Sequence, residues 1–147
     1  MKSKVTGLGF IMVAAMALLS SIVVPAAQAH PPMYANCATG YACIWQDTSY
    51  TGNNYWKQSA NKQPTPAAMN NQASSAAANG GRCGMTRFYD AESGSDYGAY
   101  FDLFSRSVYP DRYFEDPDLS NGAGVNGNSS QNWDNRISYI RFYDCVH

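Results

Sequence analysis

Four cysteines, Cys37, Cys43, Cys83 and Cys145, constrain this chain more than any other feature. In a small exported domain an even number of cysteines forms a disulfide framework, and four of them allow three pairings. Cys37 and Cys43 flank a glycine turn at Gly40, while Cys83 and Cys145 bracket the C-terminal half, which favours Cys37–Cys43 with Cys83–Cys145. Zinc is the competing use of such residues. The chain has no C-x2-C, and its histidines, His30 and His147, stand at the two ends of the expected mature product, which argues against a zinc site.

Export itself is read from the first residues. Lys2 and Lys4 precede an apolar run from Gly7 to Val24, then Pro25 and the small-residue pattern Ala27-Gln28-Ala29. Charge, apolar core and cleavage pattern in that order form a secretory signal peptide over residues 1–29. The run is near membrane-spanning length, but the cleavage pattern follows it directly. The expected product is a secreted, soluble, monomeric domain over residues 30–147. Ten basic residues become eight once Lys2 and Lys4 are removed, against eleven acidic ones, for a net charge of −3. That balance argues against nucleic acid or an anionic membrane as partner, because both select a basic footprint.

The mature region reads as all-β. Short aromatic stretches at 42–46, 54–57, 85–89 and 138–146 are bounded by Gly, Asn, Ser and Asp. Residues 58–78 and 109–131 read as irregular, and the second is long for a loop in a compact domain. Asp116-Pro117-Asp118 with Asn121-Gly122 has the beginnings of an EF-hand, but the spacing is off by one and Gly127 stands where the bidentate Glu belongs. Arg87-Phe88-Tyr89-Asp90 recurs as Arg141-Phe142-Tyr143-Asp144.

A stronger repeat lies beside it. Trp45, Tyr50 and Gly52 form aromatic-x4-aromatic-x-Gly, followed downstream by Asn70-Asn71-Gln72-Ala73-Ser74-Ser75. Asp134-Asn135-Arg136-Ile137-Ser138-Tyr139 repeats the second pattern with Tyr in place of the last Ser, and the second hairpin pattern, Tyr89 to Tyr97-Gly98, is stretched. These motifs resemble the βγ-crystallin Greek key, whose N/D-N/D-x-x-S/T-S signature is also a calcium-binding sequence. The resemblance implies a double Greek-key sandwich, with the first key over about 42–78 and the second over about 86–145, interrupted by an insertion over about 105–131. For calcium it implies carbonyl ligands from Gln72 and Arg136, hydroxyls from Ser74 and Ser138, and carboxylates from the hairpin loops, namely Asp47 and Asp90 or Glu92. Hard oxygen donors of this kind suit calcium. In the same signature the Ser can instead serve only to tie the hairpin down.

Cys37-Ala-Thr-Gly40-Tyr41-Ala-Cys43 ahead of the first strand narrows the resemblance to secreted actinobacterial proteins of peptidase inhibitor family thirty-six. That resemblance implies an inhibitor of extracellular proteases, metalloproteases above all, acting through a loop on a rigid scaffold. The candidate loops are Gly80 to Met85, with Arg82, Gly84 and Met85, and the stretch Tyr109 to Gln131. A second reading is a module that binds cell-wall polysaccharide, or a killer-type protein, with Trp56, Trp133 and tyrosines stacking on sugar rings. Catalysis is disfavoured, since no histidine lies inside the mature chain and no thiol is expected to be free. The carboxylates Asp111, Glu115, Asp116 and Asp118 read as a solvated acidic loop rather than a glycosidase pair.

Overall fold

In the computed structural model, residues 37–59, 63–91 and 98–146 are described. The expected signal peptide, Glu92, Tyr97 and the side chain of Trp56 lie outside them. Among the described residues eight strands form: β1 (Tyr41–Asp47), β2 (Thr51–Gln58), β3 (Gln63–Pro64), β4 (Ser75–Asn79), β5 (Cys83–Tyr89), β6 (Tyr100–Phe104), β7 (Glu115–Asp116) and β8 (Tyr139–Cys145). The aromatic stretches read from the sequence become β1, β2, β5 and β8. Along β5, Thr86 and Phe88 are fully buried while Met85 and Arg87 are partly exposed, the period-two pattern of a strand with one face on a core.

The strands form two antiparallel sheets, in the orders β2-β1-β4-β7 and β3-β8-β5-β6. Strands β1–β4 are one Greek key and β5–β8 the other, and each lends its third strand to its partner's sheet. In the second sheet β3 pairs with β8, Gln63 opposite Ile140. In the first sheet β7 pairs with β4, Glu115 opposite Ala77. This is the all-β, disulfide-stabilised, βγ-crystallin-like sandwich that the motifs imply.

Two stretches expected to be irregular carry strands. Residues 58–78 include β3 and most of β4, and all five residues of β4 are buried. Ala76 and Ala78 face the core between the sheets, and Ala77 faces outward onto Cys43, Trp45 and Tyr50. Alanine has poor strand propensity but fits a strand crowded on both faces. The expected insertion at 105–131 is the path by which the second key delivers β7 to the first sheet, and Phe114, Leu119 and Ala123 anchor it by burial.

The inter-sheet core holds Ile44, Phe88, Phe101, Leu103, Trp133, Ile137 and Ile140, all fully buried. Phe88 and Phe101 stack with centroids 4.9 Å apart, and Trp133 meets Phe101 edge-on at 4.8 Å. Gly124, at φ +53°, lies against the Asp102 carbonyl, where any Cβ would collide with it. A smaller cluster of Cys37, Cys43, Trp45, Tyr50, Ala77 and Phe114 covers the outer face of the first sheet. The disulfides are Cys37–Cys43 and Cys83–Cys145.

Candidate functional site

The two signatures meet at an internal two-fold axis. Asn71 N–H donates to the Ile137 carbonyl at 3.0 Å, and Asn135 N–H donates to the Ala73 carbonyl at 2.9 Å. Both asparagines take left-handed backbone, φ 53° and 58°, which Asn tolerates better than most residues. Ser74 N–H donates to Trp45 O at 2.9 Å and Ser138 N–H to Tyr89 O at 2.8 Å. These bonds make Trp45 and Tyr89 equivalent, and with them Gln46 and Asp90. The recurrence of Arg87–Asp90 at Arg141–Asp144 is a different matter, since those segments lie on paired strands of one sheet, Arg87 opposite Arg141.

The symmetry breaks at the side chains. In the first signature the Ser75 hydroxyl donates to Asp47 O at 2.7 Å and accepts from Tyr50 N–H at 3.1 Å, tying down the first hairpin. Tyr139 stands in that position in the second signature. There Arg136 bonds Asp90 instead, Nη2 to Oδ2 at 2.8 Å, with its guanidinium 4.7 Å over the Trp133 ring. The Ser138 hydroxyl donates to Asn71 Oδ1 at 2.8 Å. Asp47 lies against the hairpin glycine, its Oδ2 2.6 Å from where a Gly52 Cβ would be. Among the described residues no three Asp, Glu, His or Cys side chains converge, so any cation here would rest mainly on neutral oxygens.

A second region gathers the two candidate loops. Arg82 is exposed at the turn before β5, but Gly84 and Met85 belong to β5 itself, Met85 paired with Phe104 and Tyr143. The loop expected over Gly80 to Met85 is therefore only the short turn Gly80–Arg82, because the strand begins at Cys83. Residues 105–109 pack on that turn: Ser105 N–H bonds Gly84 O at 2.9 Å, Ser107 Oγ bonds Gly81 O at 3.2 Å, and Ser107 N–H bonds Asn79 Oδ1 at 3.1 Å. Tyr109 covers Gly84, and a Cβ there would lie 3.1 Å from its ring. Phe104, edge-on at 5.6 Å, and the Arg112 guanidinium at 5.0 Å hold the Tyr109 ring. Among the described residues the exposed large apolar side chains are Val108, Tyr109 and Val146, and all three line one groove of about 420 Å³ with Arg82, Gly84 and Asp144. The Cys83–Cys145 disulfide joins the strands beneath, and Val146 N–H bonds Arg82 O at 3.1 Å.

Two expectations are corrected by burial. Trp133 is fully buried, its indole N–H donating to Asn128 O at 2.9 Å, so its ring is closed to a sugar. The acidic stretch is solvated only in part. Asp111 is exposed, and Asp118 caps the short 3₁₀ turn Leu119–Asn121, but Glu115 and Asp116 are 1% and 3% exposed. Asp116 accepts from Tyr113 OH, Gly124 N–H and Asp118 N–H. Neither Glu115 oxygen has a partner among the described residues, and burial pushes its pKa up to about 7, Arg106 opposing the rise. Neither burial had a signal in the sequence, because β7 is two residues long and is followed at once by Pro117.

Compared with known proteins, residues 30–101 match the profile of peptidase inhibitor family I36. Over this span the chain is similar to the inhibitors of that family. No curated protein matches. Among solved structures, this chain is similar to a βγ-crystallin from an archaeon, at 20% identity and TM-score 0.48, covering 71% of this chain and 99% of that one. It is also similar to a βγ-crystallin from Ciona intestinalis, at 15% identity and TM-score 0.46, covering 70% and 99% of the two chains. The strand order carries the fold assignment. The I36 span takes in the first key, the Arg82 turn and β5, and ends at the start of β6.

Proposed function

We propose that this protein is a secreted inhibitor of extracellular proteases, metalloproteases foremost, and not an enzyme. The observation that carries the reading is the face where the Gly80–Arg82 turn and residues 105–109 meet, presenting Val108, Tyr109, Val146 and Arg82. An inhibitor gains affinity when its contact surface is ordered before binding. Here hydrogen bonds to Gly81, Gly84 and Asn79 and a disulfide fix the face in advance. Exposed tyrosine and arginine are also residues on which interfaces concentrate their binding energy.

The test is an inhibition panel of purified mature protein against thermolysin-like metalloproteases, with serine proteases for comparison. Inhibition of the metalloproteases by intact protein is expected. Tyr109→Ala and Arg82→Ala should each weaken it by about tenfold or more, on the order of 1.4 kcal/mol, with the fold unchanged by circular dichroism. Absence of inhibition at micromolar protein, with cleavage of the chain, would sink the reading. Undiminished inhibition by both variants would move the contact to another face.

A further inference from the structure

The two sheets differ in what covers their outer faces. Among the described residues, buried clusters fill the space between the sheets and cover the outer face of the first, where Trp45, Tyr50 and Phe114 pack. The outer face of the second is left to solvent. Strand register sets Tyr89 between Tyr100 and Tyr139, and Arg87 between Asp102 and Arg141. Met85 stands between Phe104 and Tyr143 in the same way. Tyr89 and Asp102 are fully buried, and the other seven are half-buried. Aromatic residues, methionine and arginine are enriched at protein interfaces, while lysine, glutamate, serine and alanine are depleted there, and none of those four stands on this face.

The face is also fixed in advance. The Arg87 guanidinium lies 3.7 Å over the Tyr100 ring and 4.8 Å over the Tyr143 ring, and Arg141 lies 4.7 Å over Tyr143. Arg87 donates to Asp102 from Nε at 2.7 Å and from Nη2 at 3.0 Å, and Asn126 Nδ2 donates to the same carboxylate at 3.0 Å. The Tyr89 and Tyr143 hydroxyls meet at 2.6 Å. The Asp102 side chain is 0% exposed and the Arg87 side chain 22%, so the charge that this face shows to solvent is guanidinium.

The groove beside Arg82 is lined by six residues, whereas an inhibitor contact covers about 800 Å², on the order of 20 residues, on each partner. A protease seated on Tyr109 must therefore reach further. Phe104 joins the two surfaces, because its ring meets Tyr109 edge-on at 5.6 Å while its backbone pairs with Met85. Resting on the reading of this protein as a protease inhibitor, we propose that the outer face of the second sheet forms the larger part of the contact, seating a flat, carboxylate-bearing surface of the protease outside its active-site cleft, with Arg87 and Arg141 selecting that charge.

Inhibition constants against thermolysin-like metalloproteases at several salt concentrations, and hydrogen peroxide oxidation of Met85 in free and bound protein, test this. Arg141→Glu places opposite charges across the strands at Arg87, so the variant should fold. It should weaken inhibition by about tenfold or more and remove most of its salt dependence. Met85 oxidation, read by mass spectrometry, should slow severalfold in the wild-type complex. Asn54→Glu, exposed on β2 of the other sheet, should change neither. A wild type that inhibits no protease removes the inhibitor reading and this inference with it. A wild type that inhibits, with Arg141→Glu equally potent or Met85 oxidised in the complex at the free rate, overturns this inference alone. A dimer that Arg141→Glu dissociates, or retention on cell-wall polysaccharide that it abolishes, with inhibition intact, would give the face to another occupant and overturn it too.

Discussion

Removing the charge of Glu115 should make the protein more stable at alkaline pH and leave it unchanged in acid. The residue is 1% exposed, at the edge of the first sheet, with both oxygens unpartnered among the described residues. Tyr50 and Tyr113 lie within electrostatic reach of it, and Arg106 supplies the opposing positive charge. Its pKa rises from 4.5 to about 7 because burial penalises the charged form. A folded pKa above the unfolded one means that the native state binds more protons between those values, so stability falls as pH rises from 4.5 to about 7. At about 1.36 kcal/mol per pH unit, the charged side chain costs up to about 3 kcal/mol at pH 8 and almost nothing near pH 4.

Glu115→Gln mimics the protonated acid in shape and in hydrogen-bonding capacity. Urea unfolding of both proteins at several pH values isolates the effect, because every other titrating group cancels in the difference. The variant should match the wild type near pH 4 and exceed it by about 3 kcal/mol at pH 8, with the gap opening between pH 4.5 and 7. A gap that stays constant with pH, or opens toward acid, would falsify the assignment of an unpaired buried carboxylate.

Three further outcomes follow from other contacts. Ser75→Ala should cost about 2 kcal/mol in chemical unfolding, since it strips the Tyr50 N–H of its acceptor and frees the first hairpin from Asp47. Gly124→Ala should cost at least about 2 kcal/mol, read as a lowered midpoint, because a side chain at φ +53° would meet the Asp102 carbonyl. Replacing both Cys83 and Cys145 by Ser, 62 residues apart, should cost about 4 kcal/mol from the restored freedom of the unfolded chain, and an unchanged midpoint would show that the bridge is idle.

The parts of the fold written in side-chain alternation were legible. β8 alternates Tyr139, Arg141 and Tyr143 with the buried Ile140 and Phe142, and the first hairpin carries its glycine, φ 75°, where the backbone demands one. The parts governed by tertiary crowding were not. Ala76-Ala77-Ala78 shows no strand preference by itself and becomes a central strand because both its faces are covered. β7 is too short to show periodicity and owes its existence to the open edge of β4. At the site, the paired signatures were readable as a motif, but Arg136 reads only as a variable position until its guanidinium is seen on Asp90. Likewise Val108 and Val146 lie far apart in the chain, and only the fold puts them beside Arg82.

The lending of β3 and β7 between the sheets sets the order in which the molecule can be finished. A growing chain that has reached Asn79 holds three strands of the first sheet, yet one flank of β4 stays bare until Glu115 and Asp116 arrive. β3 meanwhile has no partner until the last strand, β8, is made. Neither Greek key can close alone, so assembly is a single late event rather than two successive ones. A truncation before residue 115 leaves a sticky edge rather than a smaller domain.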